Sequence, residues 1–212
     1  MENRETKEYF LSLLDDVDAF LKGDRAREDD YIYEYSLTPK EESKEEADYS
    51  SCHICPAFSC RNIYAEPIYN KNTKVLFILP YPDGDMMLNP KSTFYISKWV
   101  EVLGLKRDEA SVVSLIKCPV NSFNSSYADS CKLYLKEEMA SLKPSFLFLL
   151  GLDTARYMTK RNLDMEGFRE KGFRINDIPT LVTYTPRELA QNNQLRVAVW
   201  DDLQKAKEML KK

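Results

Sequence analysis

Histidine is nearly missing from this sequence: the 212 residues contain one, His53. A lone imidazole, set between Cys52 and Cys55, excludes a histidine-dependent triad elsewhere in the chain. Long apolar runs are missing too. None approaches the ~18 residues that a membrane span needs, and the charged opening MENRETKEYFLSLLDD has no signal-peptide core. With 43% hydrophobic and 30% charged residues, the chain reads as a soluble, cytoplasmic protein. No internal repeat is visible, and the length suits one well-buried domain with an added arm. Disulfides are not expected, because cytosolic cysteines stay reduced.

Charge is present but unevenly spread. The formal net charge is −4, yet residues 1–50 carry 16 acidic against 7 basic side chains and the remainder 18 against 23. The body is mildly basic and the arm strongly acidic. In the arm, Phe10, Leu13, Leu14, Val17, Phe20 and Leu21 recur at helical intervals, which predicts an amphipathic helix ending near Gly23. Residues 24–49 carry charges, tyrosines and EESKEEAD without period, as a linker does. The expected division is therefore 1–50, a helix and acidic linker, and 51–212, the folded domain. The arm reads as a solvated tail, as a competitor for the basic surface of the body, or as the docking segment for a protein partner.

The body alternates. KVLFILP (74–80) and SFLFLLG (145–151) are continuous apolar runs suited to strands buried on both faces, and SVVSLIKC (111–118) and TLVTYT (180–185) are β-rich runs of similar length. Helical patterns lie between and after them: TFYISKWVEVLGL, ADSCKLYLKEEMASL, LDTARYMTKR with Asp153 placed to cap it, and RVAVWDDLQKAKEML. Strand and helix in alternation predict a three-layer α/β fold: an open, mostly parallel, four-stranded sheet with helices on both faces. Ligands of such sheets sit outside the carboxyl ends of the strands, here LPYPDGD, SLIKCPVN, LLGLD and TYTPREL.

The cysteines carry the sharpest local chemistry. Cys52 and Cys55 form a CxxC pair, and Cys118 and Cys131 follow with a dozen residues between them. Two close pairs suit four thiolates around one metal centre, either zinc or an iron–sulfur cluster, which spacing alone does not separate. The other reading is a chance CxxC and small buried hydrophobes. Cys60 is left over, and His53 reads as exposed or as a neighbour of the centre.

These elements stand in a recognisable order: Cys52 and Cys55, ILPYPDGD, Phe94, IKC at 116–118, Cys131, KPSFLFLLG with Ala155, Gly172, TYTP at 183–186 and WDDL at 200–203. Over residues 50–210 the pattern resembles the iron–sulfur uracil-DNA glycosylases, family four, with family five as a relative. The resemblance implies an open α/β fold, a [4Fe-4S] cluster on Cys52, Cys55, Cys118 and Cys131, and a monomer that binds DNA and turns a base out into a pocket at the strand ends. It places Tyr81, Phe94, Ser114 and Thr185 around the base, with Phe94 as the stacking aromatic. Arg187 and Leu189 fall at the DNA, Leu189 as an apolar wedge. Ordinary packing is the other reading for Phe94 and Leu189.

The departures from that family matter as much. Its first motif, roughly Gly-Glu-Ala-Pro-Gly, reads Leu79, Pro80, Tyr81, Pro82, Asp83 here; its Asn after the second strand is Ser114; its His-Pro-Ser is Thr185, Pro186, Arg187. Three polar anchors are replaced, and donors aimed at developing charge are worth about 10²–10³-fold each. Ser114 also lacks the two-sided amide that tells uracil from cytosine. Asp83 and Asp85 are the carboxylates at hand to orient water or stabilise a cationic sugar, although PDGD is also ordinary turn chemistry. The expectation is a superfamily scaffold, related to base-excision repair, with ordinary uracil excision weak or lost. The alternatives are an active glycosylase of altered mechanism on Asp83 or Asp85, and a metal-bearing protein-interaction module.

Overall fold

In the computed structural model of the protein, the described residues are 52–60 and 65–211, together with Glu8. The expected arm helix and acidic linker lie, Glu8 apart, outside them. Residues Ala47–Lys212 form one compact unit.

Strands β1 (Val75–Leu79), β2 (Ala110–Ser114) and β3 (Phe146–Leu150) are buried at every residue, as strands covered on both faces are; β1 and β3 are the continuous apolar runs, while β2 buries Ser111 and Ser114 as well. They pair in parallel, Phe77 opposite Val112 on one side and Phe148 on the other. Strand β5 (Ile178–Thr183) extends the parallel ladder from β3. The sheet has five strands, where four were expected: β4 (Phe173–Ile175) pairs antiparallel with β5 at the edge, giving the order β2-β1-β3-β5-β4. Three residues are too few for a periodic signal. The turn was the legible sign, because Asn176 and Asp177 both take positive φ, as a two-residue hairpin loop demands.

The helices are set by their caps. In α1 (Pro90–Leu103) the Asn89 side chain accepts from the Ser92 N–H, Pro90 opens the first turn and Gly104 closes the helix at φ 75°. Asn124 caps α2 (Ser125–Leu142) and so starts it a turn earlier than the apolar pattern suggests. In α3 (Leu152–Thr159) the cap position is Gly151, and Asp153 sits inside the first turn, where its charge favours the helix dipole rather than capping. Two short helices, α4 (Met165–Arg169) and α5 (Pro186–Gln191), precede the closing α6 (Leu195–Leu210). No helix among the described residues is long and apolar enough to cross a membrane.

The pleat divides the core. Leu76, Ile78, Val113, Leu147, Leu149 and Val182 pack with residues of α2, α3 and α4. On the opposite face Phe77 stacks on Phe148, with centroids 5.3 Å apart, and meets Trp99 of α1. Because Phe148 is fully buried in a central strand, Phe148→Ala is expected to cost about 3–5 kcal/mol. Urea unfolding followed by tryptophan fluorescence measures the loss.

Candidate functional site

Strand β1 lies between β2 and β3. The chain leaves β1 for one neighbour and later returns on the other side, and it is at such a switch of direction, at the carboxyl ends, that open α/β sheets form their binding crevice. Its rim is formed by the loop after β1, the loop after β2, Gly151 after β3 and the segment from Tyr184 into α5.

Across this rim Arg187 meets two residues about a hundred positions earlier in the chain. Arg187, in the first turn of α5, donates from Nε (3.1 Å) and Nη2 (2.6 Å) to Oδ1 of Asp83, and its guanidinium lies 5.2 Å from the centre of the Tyr81 ring. The Asp83 side chain is 7% exposed and also accepts from the Ser92 hydroxyl at 2.5 Å, at the start of α1. Gly84 at φ 78° turns the loop, and Asp83 bridges to Met86 across it. Asp85 stands exposed beside them. Thus the expected pair of carboxylates divides: Asp83 is engaged by two donors' side chains, and Asp85 faces solvent.

The residues expected around a base are also sorted by their contacts. Ser114 is fully buried and donates its hydroxyl to the Ile116 carbonyl at 2.8 Å. Thr185 is the N-cap of α5: its Oγ accepts from the Glu188 N–H, and its hydroxyl and main-chain N–H both point to the Glu188 carboxylate, a capping box. The T-x-x-E spacing was readable in TPRE. Phe94 is half-buried on α1, off the face that carries Tyr95, Ile96 and Trp99 inward, with the Lys98 ammonium 5.6 Å from its ring. Tyr81 is half-buried under Arg187. Leu189 is fully buried, packed inward from α5. The short helix accounts for this, because it rotates Leu189 toward the core while leaving Arg187 on the rim.

Two networks support the rim from beneath, and neither was expected. Asp202 of the WDDL stretch is 1% exposed and accepts from Arg169 Nε at 2.7 Å and from the Thr183 hydroxyl at 2.8 Å. Burial pushes the Asp202 carboxyl up, while Arg169 and Thr183 pull it down. Arg169 also lies over the Tyr184 ring at 5.5 Å, so the TYTP segment is held on both sides of the strand end. The second network is a buried ion pair between Lys117 and Glu138, 2% and 1% exposed at their side chains, with the Tyr69 hydroxyl on the other Glu138 oxygen at 2.8 Å. A charged residue within the apolar stripe Cys131, Leu135, Glu138 of α2 was the available signal.

Cys118 and Cys131 are buried, Cys52 and Cys55 half-buried, and none is in a disulfide. The three segments converge. Burial pushes the Cys131 thiol up, the Lys117 main-chain N–H opposes this as a donor to it, and Cys55 and Cys52 are near enough to add to the rise. Tyr134 of α2 donates to the Cys52 sulfur, which pushes the tyrosine up to about 12. His53 is exposed and meets Phe58 edge-on at 4.7 Å. The donor set is all sulfur, the chemistry that soft metal centres and iron–sulfur clusters take. Among the described residues, no three His, Cys, Asp or Glu side chains are grouped to hold one metal ion. A multi-iron cluster spreads its thiolates over separate irons, so a condition framed for one ion does not bear on it.

A double-mutant cycle tests whether the rim contact is a true coupling. Asp83→Asn, Arg187→Gln and the double variant are expected to give a coupling of about 1 kcal/mol by chemical denaturation, above that of most exposed pairs because one partner is buried. Additive effects would show that the two loops are independent.

Against known proteins, residues 67–204 match the model of the uracil DNA glycosylase superfamily. A type-4 uracil-DNA glycosylase of Saccharolobus solfataricus is 30% identical over 176 residues, which span 75% of this chain and 82% of that protein. The matched region holds the whole sheet and every rim residue described above, and on this extent of agreement the chain belongs to the uracil-DNA glycosylase superfamily.

Proposed function

We propose that this member of the superfamily acts on DNA in base repair, that Cys52, Cys55, Cys118 and Cys131 hold a [4Fe-4S] cluster, and that its excision of ordinary uracil is weak. One observation carries the last point. The hydroxyls standing where the resembled family keeps an amide and an imidazole are both committed, Ser114 to the Ile116 carbonyl and Thr185 to the capping box. Pro80 adds no side-chain donor. Loss of donors aimed at the leaving base removes about 10²–10³-fold in rate each. The similarity to a type-4 uracil-DNA glycosylase and the all-sulfur donor set support the cluster. When bound, the cluster supplies a link among the three segments that bear its ligands.

For DNA, the support is the basic balance of residues 51–212 and the half-open Arg187 guanidinium on the rim. Such contacts go to phosphates and weaken steeply with salt. Tyr81 and Phe94 supply the aromatic faces on which a base can stack.

A second reading, a glycosylase of altered mechanism, rests on Asp85. Of the two carboxylates it alone is exposed, in the loop after β1, and so open to a water that it would orient toward the sugar. Asp83 in this reading positions Arg187 rather than water.

A glycosylase assay on single-stranded and duplex DNA bearing uracil, hypoxanthine or xanthine decides between them. Uracil release is expected to fall about 10²–10³-fold or more below that of an active relative assayed in parallel. Release within tenfold of that relative would overturn the proposal. Loss of any residual release in Asp85→Ala, with retention in Asp83→Ala, would favour the second reading.

A further inference from the structure

The buried Lys117–Glu138 pair has no part in the rim chemistry, and stability alone does not account for it. Taking two charges out of water costs several kcal/mol per ion, and apolar replacements of such pairs are often neutral or stabilising. What distinguishes this pair is its place. Lys117 immediately precedes Cys118, and it touches α2 at two points. Its main-chain N–H faces the Cys131 sulfur, and its ammonium reaches Glu138. Those contacts lie seven residues apart on one helical face, about 10 Å along the axis.

Two contacts so separated fix both the height and the tilt of a segment against a helix, where one contact would leave a pivot. The ammonium is further tied to the end of β2 through the Ser114 carbonyl at 2.6 Å. Glu138 is held from its other oxygen by Tyr69, from the chain leading into β1. The carboxylate is thus restrained on both oxygens, and the lysine has one place to go.

We propose that Lys117 and Glu138 are positioning residues for the four-cysteine centre: the pair bolts the segment bearing Cys118 onto the helix bearing Cys131 and so sets the spacing of those two thiols. The inference rests on the reading that the four cysteines share one centre. Neither residue binds the metal. Their action is on where the sulfurs stand before the metal arrives, and partners of this kind typically change metal affinity 10–100-fold.

The test uses the full chain purified without oxygen as parent, Lys117→Met/Glu138→Leu and Glu138→Asp. Iron and sulfide content, absorption near 400 nm, the rate of metal loss to a chelator and the melting temperature are measured for each. The apolar double variant is expected to melt close to the parent, yet to lose metal at least tenfold faster and to show an altered electron paramagnetic resonance spectrum in the reduced state. Glu138→Asp keeps the charge but shortens its reach, and it too is expected to lose metal faster, which serves if the double variant does not fold. Parent-like metal loss and an unchanged spectrum in a folded variant would overturn the inference. A parent without metal or sulfide would instead overturn the shared-centre reading beneath it.

Discussion

Parallel pairing of β1, β2, β3 and β5 in register is the constraint from which the rest follows. Those strands are buried along almost their whole length, so their ladder bonds form away from water and cannot slip without turning side chains to the wrong face. Parallel pairing also requires every connection to cross back over the sheet. It follows that the four carboxyl ends share one edge, and that loops separated by about a hundred residues, such as those of Asp83 and Arg187, face each other.

Two different solutions hold that edge in place. On the β5 side, Asp202 is the fixed point, gathering Thr183 and Arg169 beneath the Tyr184 ring. On the β2 side, α2 is the reference. It carries Cys131, supports Cys52 through Tyr134 and receives Lys117 at Glu138. Both use buried charge, which fails badly when one partner is missing and therefore defines a geometry sharply. Apolar packing alone, which tolerates repacking, defines it less well.

Much of this was legible in the residues. Two continuous apolar runs and two β-rich runs marked the four parallel strands, the former because both faces are covered, and the helices followed from their periods and caps. The edge strand β4 was not, since three residues cannot show a period and only the Asn176–Asp177 turn announced it. The two close pairs of cysteines were plain, whereas the partner of Lys117 lay twenty-one residues away in a helix whose stripe looked apolar apart from one glutamate. Leu189 was open to two readings for a related reason. The capping box of Thr185 and Glu188 starts a helix after Thr-Pro, and residues two apart on a helix face roughly opposite sides.

The same capping box also constrains the end of β3. Gly151, at φ 85°, passes so close to Thr185 that a Cβ built there would lie 2.8 Å from the threonine methyl group. A side chain at position 151 would therefore strike the cap, so glycine there lets the end of β3 pass beside the start of α5. The capping box and Gly151 thus hold each other's geometry: any residue other than glycine at 151 would strain its own backbone, at φ 85°, and the cap that starts α5.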